Sequence, residues 1–241
     1  MAIQRATDHL TKTKNQKEVF QLLGQLYFNV KDYDRAIGSL EKAIAIDPNL
    51  LSAYLLIGNA YTAQKKFEPA MVQYQKQIDR NPQAVAPLMM MATLYEYKNQ
   101  RDKANDYYRK ILDIDKKFSP AANNLAWNYA EHGGNLDVAL GLAQRAREAN
   151  PGDPDVADTL GWIYYKKGVY ESSLRLLNEA NEKLRDSSPT LLYHLGMTYR
   201  MIGNNASARE VLSKALAAGK SFPESAEAQR VFDELQSRKP S

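Results

Sequence analysis

The chain has 241 residues, 44% of them hydrophobic, and its 32 basic and 28 acidic side chains leave a net charge of +4. The charges are interspersed, which predicts solvated surfaces rather than the one-sided basic stripe of a nucleic-acid binder. There is no cysteine, which excludes disulfides and thiol catalysis and leaves the compartment open between cytoplasm and bacterial periplasm or envelope.

The first segment, Met1 to Gln16, carries too many charges and no apolar run of the kind a secretory signal needs. Nor does any later apolar run reach the length of a membrane span, so no direct membrane insertion is expected. Within residues 1–16 a helix is predicted from Ala2 to about Leu10. Projected backwards from the period described next, it reads equally as the second helix of a preceding repeat, which would make the chain a fragment of a longer protein, or as a simple cap.

From there a pattern recurs. A small residue precedes a tyrosine by three positions at Gly24/Tyr27, Gly58/Tyr61, Ala92/Tyr95, Ala126/Tyr129, Gly161/Tyr164 and Gly196/Tyr199, and successive tyrosines are 34, 34, 34, 35 and 35 residues apart. A fixed period of this length signals stacked supersecondary units. About nine residues after each tyrosine stands a second small residue (Ala36, Ala70, Ala104, Ala139, Ser173, Ala208), followed four later by Leu40, Tyr74, Tyr108, Ala143, Leu177 and Leu212. Both halves have helical spacing. Asp47-Pro48, Asn81-Pro82 and Asn150-Pro151 then end a helix and re-aim the chain, so each unit is predicted to be two antiparallel helices. Glycine in a helix costs about 1 kcal/mol relative to alanine. Its recurrence at one register implies close approach of the paired helix, seated on the second small residue.

Counted from Lys17, positions 4, 7, 8, 11, 20, 24, 27 and 32 of the first unit are Phe20, Leu23, Gly24, Tyr27, Ala36, Leu40, Ala43 and Pro48. This resembles the tetratricopeptide repeat signature. Six repeats are read, at 17–50, 51–84, 85–118, 119–153, 154–188 and 189–221, followed by a capping helix and tail over 222–241. Lys116 and Arg185 replace the terminal proline in repeats three and five, and one extra residue near Gly133-Gly134 lengthens the turn of repeat four. At the C-terminus, Ser221 reads as an N-cap, with Pro223 and Glu224 in the first turn of a helix reaching Leu235. The resemblance implies an all-α, right-handed superhelical solenoid of helix-turn-helix repeats with a C-terminal capping helix.

It also implies that the first helix of each repeat lines a concave groove through positions 2, 5, 6, 9, 12 and 13. Repeat one then offers Gln21, Leu22, Gln25 and Asn29, and repeat two Leu55, Leu56, Asn59 and Thr62. Repeat three contributes Met89, Met90, Thr93 and Tyr97, and repeat four Asn123, Asn124 and Trp127. Asp158, Thr159, Trp162 and Tyr165 follow from repeat five, and Tyr193, His194, Met197, Arg200 and Met201 from repeat six. Trp, Tyr and Met collect at binding surfaces because they supply stiff or adaptable contact area. Trp127 and Trp162 are equally readable as ligand contacts or as internal packing. Amide side chains such as Asn123 and Asn124 offer a peptide backbone both donor and acceptor.

The expectation is a non-catalytic scaffold that binds a partner protein or peptide in its groove, with no cofactor and no nucleic acid. His9, His132 and His194 lie far apart without metal-site spacing, and no nucleophile or phosphate-binding motif occurs. The lysines, arginine and asparagines of a dicarboxylate clamp are missing at the required positions, where Gln21, Gln25, Leu56, Ala86 and Met90 stand. Residues 123–127, 158–162, 193–196 and 221–224 also resemble bacterial multi-repeat proteins of exopolysaccharide and exosortase-type systems. That likeness implies polysaccharide as the other ligand class.

Overall fold

The computed structural model describes residues 2–10, 13, 15–217 and 222–237. Among these the regular structure is α-helix throughout: α1 (Ala2–Leu10), α2 (Gln16–Asn29), α3 (Tyr33–Ile46), α4 (Leu51–Ala63), α5 (Phe67–Arg80), α6 (Val85–Tyr97), α7 (Arg101–Ile114), α8 (Ser119–Glu131), α9 (Leu136–Ala149), α10 (Pro154–Lys166), α11 (Tyr170–Leu184), α12 (Pro189–Met201), α13 (Asn205–Ala217) and α14 (Ser225–Ser237). They form two compact units, residues 1–114 with α1–α7 and residues 115–241 with α8–α14. In each, a first helix packs against the second helix that follows it.

One turn ends every first helix. Lys31, Lys65, Asn99, Gly133, Gly168 and Gly203 adopt left-handed φ of 57–81°. The N–H of the next residue then donates 2.8–2.9 Å to the carbonyl of Tyr27, Tyr61, Tyr95, Tyr129, Tyr164 or Tyr199. Such a reversal satisfies a carbonyl that the helix end would otherwise orphan. Asp32, Asn135, Asp153 and Ser188 cap the next helices by accepting from first-turn N–H groups. The insertion in repeat four is Gly134, which lies between the left-handed Gly133 and the cap Asn135 and so leaves both helices intact. Between repeats, the Asp47, Asn81 and Asp115 side chains accept from the N–H two residues on. Repeat three makes this turn with Lys116 where the others have proline, because the aspartate side chain closes it.

The recurrent glycines are explained by a different contact from the one expected. A Cβ on Gly24 would lie 2.4 Å from Leu40, on Gly58 2.3 Å from the Tyr74 ring, on Gly161 2.9 Å from Leu177 and on Gly196 2.5 Å from Leu212. The notch therefore receives the bulky position-24 side chain rather than the small residue four before it. Leu40, Tyr74, Leu177 and Leu212 are fully buried there.

At the C-terminal end the helix begins later than the sequence suggests. Pro223 and Glu224 form a turn, Ser225 N–H donates to the Phe222 carbonyl, and α14 starts at Ser225. Phe222 is buried with Trp162, Leu192 and Leu212, and reaching that cluster consumes the residues proposed for the first turn. Ser221, the proposed N-cap, lies outside the described residues. Ala228, Val231 and Leu235 of α14 are buried in the same cluster. At the other end α1 covers Val19 and Leu23 with Ala6, Ile3 and Leu10.

Candidate functional site

In the first unit, α2 and α4 bound an open cleft of about 560 Å³ lined by Glu18, Gln21, Leu22, Gln25, Leu40, Ser52, Leu55, Leu56 and Asn59. Apart from Leu40 in its notch, these are positions 2, 5, 6 and 9 of two successive repeats. The side of the cleft is apolar where Leu22 (50% exposed), Leu55 and Leu56 stand. Amides edge it: Gln21 Nε2 donates to Ser52 Oγ at 3.0 Å, Gln25 Nε2 to Asn29 Oδ1 at 3.0 Å, and Asn59 Oδ1 accepts from the Tyr74 hydroxyl at 2.8 Å. Glu18 is its one charged liner, 3.5 Å from Lys17. On α6, Met89 and Met90 are half-buried, and Met90 packs with Leu55 against a core of Tyr74, Met91 and Leu94. Thr93 and Tyr97 are exposed; the Tyr97 ring leans on Phe67 at 4.6 Å and the Thr93 hydroxyl donates to the Met89 carbonyl.

In the second unit Trp162 follows the second of the two readings left open by the sequence, internal packing. Trp162, Tyr193, His194 and Met197 are buried, His194 completely. The Trp162 ring stacks on Tyr165 at 4.4 Å and on His194 at 4.1 Å, and Trp127 of α8 approaches His194 of α12 at 5.8 Å. Side chains of first helices two repeats apart therefore reach one another, and the aromatic rings fill the space between successive first helices. The polar groups there hold the packing together. Trp162 Nε1 donates to Glu131 Oε1 at 2.6 Å, Lys166 pairs with the same carboxylate at 3.0 Å, and His194 Nδ1 lies 2.7 Å from Asp158 Oδ1. Arg200, expected among the groove residues of repeat six, is paired with Glu234 of α14 at 2.8 Å. Asn123 and Asn124 are partly buried and bonded to each other at 3.4 Å, and Thr159 is buried. Burial raises the Tyr165 phenol above its ordinary range and pushes that of Tyr193 well above it, so both are neutral hydroxyls at any physiological pH.

Glu131 and Glu234, the carboxylates that anchor Trp162 and Arg200, are not among the residues singled out from the sequence. Glu131 stands at groove position 13 of repeat four, which was the signal available there, whereas Glu234 lies on the capping helix, where no repeat signature marks it. Among the described residues no helix is long and apolar enough to cross a membrane.

Comparison with known proteins places these features in a wider set. Residues 24–65 match the family described as TPR repeat, and residues 89–154, 51–83 and 189–218 match models described as tetratricopeptide repeat. A TPR repeat-containing protein of Pseudomonas aeruginosa is 32% identical over 76 residues, which span 32% of this chain and 12% of that protein. Among solved structures, a tetratricopeptide repeat protein from Parabacteroides merdae has a TM-score of 0.73 at 18% identity, covering 92% of this chain and 87% of that one. PilW, titled a widely conserved type IV pilus biogenesis factor, has a TM-score of 0.70 at 20% identity, covering 91% of this chain and all of that one. YrrB, titled a TPR protein with an unusual peptide-binding site, has a TM-score of 0.63 at 21% identity over 80% of this chain and 97% of that one.

Proposed function

The chain belongs to the tetratricopeptide repeat family, and we propose that it is a non-catalytic interaction scaffold whose first unit captures an extended, uncharged apolar segment of a partner protein. The observation that carries this reading is the open cleft at positions 2, 5, 6 and 9 of α2 and α4, with the exposed Leu22 and the half-buried Leu55 and Leu56 on its wall and amides at its edge. An apolar wall favours burial of leucine-like side chains at roughly 25 cal/mol per Å², and the amides can satisfy a peptide backbone. With Glu18 as the sole charged liner, a carboxylate-rich ligand is disfavoured. Met89, Met90, Thr93 and Tyr97 extend the candidate surface along α6. YrrB, similar in fold, is titled for a peptide-binding site.

The buried stacking of Trp162 weighs against a polysaccharide surface in the second unit, since a sugar needs a free ring to lie on and this one is engaged by Tyr165 and His194. The test is an array of uncharged decapeptides rich in Leu, Val and Ala, read by fluorescence anisotropy against the wild type and Leu56→Glu. Micromolar binding that Leu56→Glu abolishes is the expected result. An array that retains no peptide, or binders indifferent to Leu56→Glu, overturns the assignment of the cleft.

A further inference from the structure

Tyr74 on α5 is fully buried, and its ring occupies the notch left by Gly58 on α4. The other notch-filling residues, Leu40, Leu177 and Leu212, end in methyl groups. Tyr74 ends in a hydroxyl, and that hydroxyl passes the helix to reach the side of α4 that lines the cleft. It donates to Asn59 Oδ1 at 2.8 Å and lies 3.2 Å from Thr62 Oγ1. The Thr62 hydroxyl in turn donates 2.9 Å to the Gly58 carbonyl. Burial raises the Tyr74 phenol above its usual range, which keeps the proton on this oxygen.

A phenol has one proton, and the shorter contact takes it. Asn59 Oδ1 is then engaged from behind, and the amide can rotate only by breaking a buried hydrogen bond. Resting on the reading of the cleft given above, we propose that Tyr74 is a positioning residue that fixes Asn59 with its NH₂ turned into the cleft, making Asn59 a reader of carbonyl oxygens. The ligand class is thereby narrowed to an extended segment that presents a main-chain carbonyl, flanked by apolar side chains for Leu55 and Leu56, at this point of the cleft. Removing a neutral hydrogen-bond donor of this kind costs binding while leaving the apolar contacts in place.

Asn59→Asp and Tyr74→Phe separate the possibilities, with the tightest array decapeptide as the probe. Asn59→Asp keeps an acceptor for Tyr74 but has no NH₂; affinity should fall at least tenfold with an unchanged melting profile. Tyr74→Phe keeps the ring in the notch but releases the amide, and affinity should fall three- to tenfold. Retention of affinity in both variants, while Leu56→Glu still abolishes it, overturns the role of Asn59 and Tyr74 and leaves the cleft assignment standing. A ligand-free measurement tests the orientation independently of any peptide. In ¹⁵N-labelled protein the Asn59 side-chain NH₂ should exchange rapidly with solvent in wild type. One slowly exchanging proton, lost on Tyr74→Phe, would show that nitrogen rather than oxygen faces the phenol and would overturn the proposal.

Discussion

Trp162 illustrates how residue type and residue role part company. Indole offers the contact area of a binding hot spot, yet here it is stacked between elements of one unit and tied to Glu131. Trp162→Ala should therefore destabilise the second unit by about 3–5 kcal/mol, in the range of buried aromatic truncations, as read by urea unfolding followed by circular dichroism. Peptide affinity per folded molecule should stay unchanged; a loss of affinity with native stability would return the aromatic cluster to the list of ligand contacts. The glycine notches make an equally local prediction. Gly161→Leu places a Cβ 2.9 Å from Leu177 with the rest of the side chain beyond it, and should cost about 1–3 kcal/mol or more through overpacking. An unchanged melting temperature would refute the assigned register of α10 on α11.

At the scale of helices and turns, the reversals that end the first helices carry strain in the first unit that their counterparts in the second avoid; the second unit has its left-handed non-glycine residues, Arg185 and Asp186, between repeats. Lys31, Lys65 and Asn99 take left-handed φ where Gly133, Gly168 and Gly203 do so freely. An L-residue with a Cβ pays roughly 1–2 kcal/mol in that region, partly offset by the entropy a glycine loses on folding. Lys31→Gly and Lys65→Gly should each stabilise by about 0.5–1 kcal/mol, and Gly168→Ala should cost a comparable amount; thermal scans decide, and destabilisation by Lys65→Gly would contradict the account. The helices and their pairing were legible in the sequence because small residues, tyrosines and Asx-Pro turns repeat with the period of the units, and each has a backbone or packing cause. The state of the inner face was not. Whether position 9 meets solvent depends on how closely first helices two repeats apart approach, which is visible in the Trp127–His194 contact but in no single repeat. Likewise Asn59 looks like any amide until the Tyr74 hydroxyl behind it is seen.

For the whole molecule, titration sets a window of stability. Hydrogen bonds from Arg35, the Asn49 backbone, Lys98, Arg147, Asn181 and Arg230 hold Asp32, Asp47, Glu68, Glu179, Asp186 and Glu227 below the ordinary carboxylate range. A depressed carboxylate contributes stability above its unfolded value, near 4, and loses it as pH falls through the lower folded value. Tyr74, Tyr165 and Tyr193, raised by burial, act oppositely: their contribution holds below about 10, the unfolded phenol value, and is lost above it. Urea midpoints should thus plateau between these limits and fall on both sides, with Glu179→Gln flattening the acid limb; a midpoint that rises below pH 4 would refute the assignment. Because both tryptophans belong to the second unit, peptide added to the first should leave indole emission unchanged. The six tyrosine carbonyls that close the turns after the first helices carry one last implication. Gly134 makes that closing bond itself and leaves the N-cap position of the next helix to Asn135, where elsewhere one residue fills both places, so the backbone there lengthens with both helices intact. These turns are natural graft points, where a reporter or a foreign loop can be spliced in while the repeats on either side keep their phase.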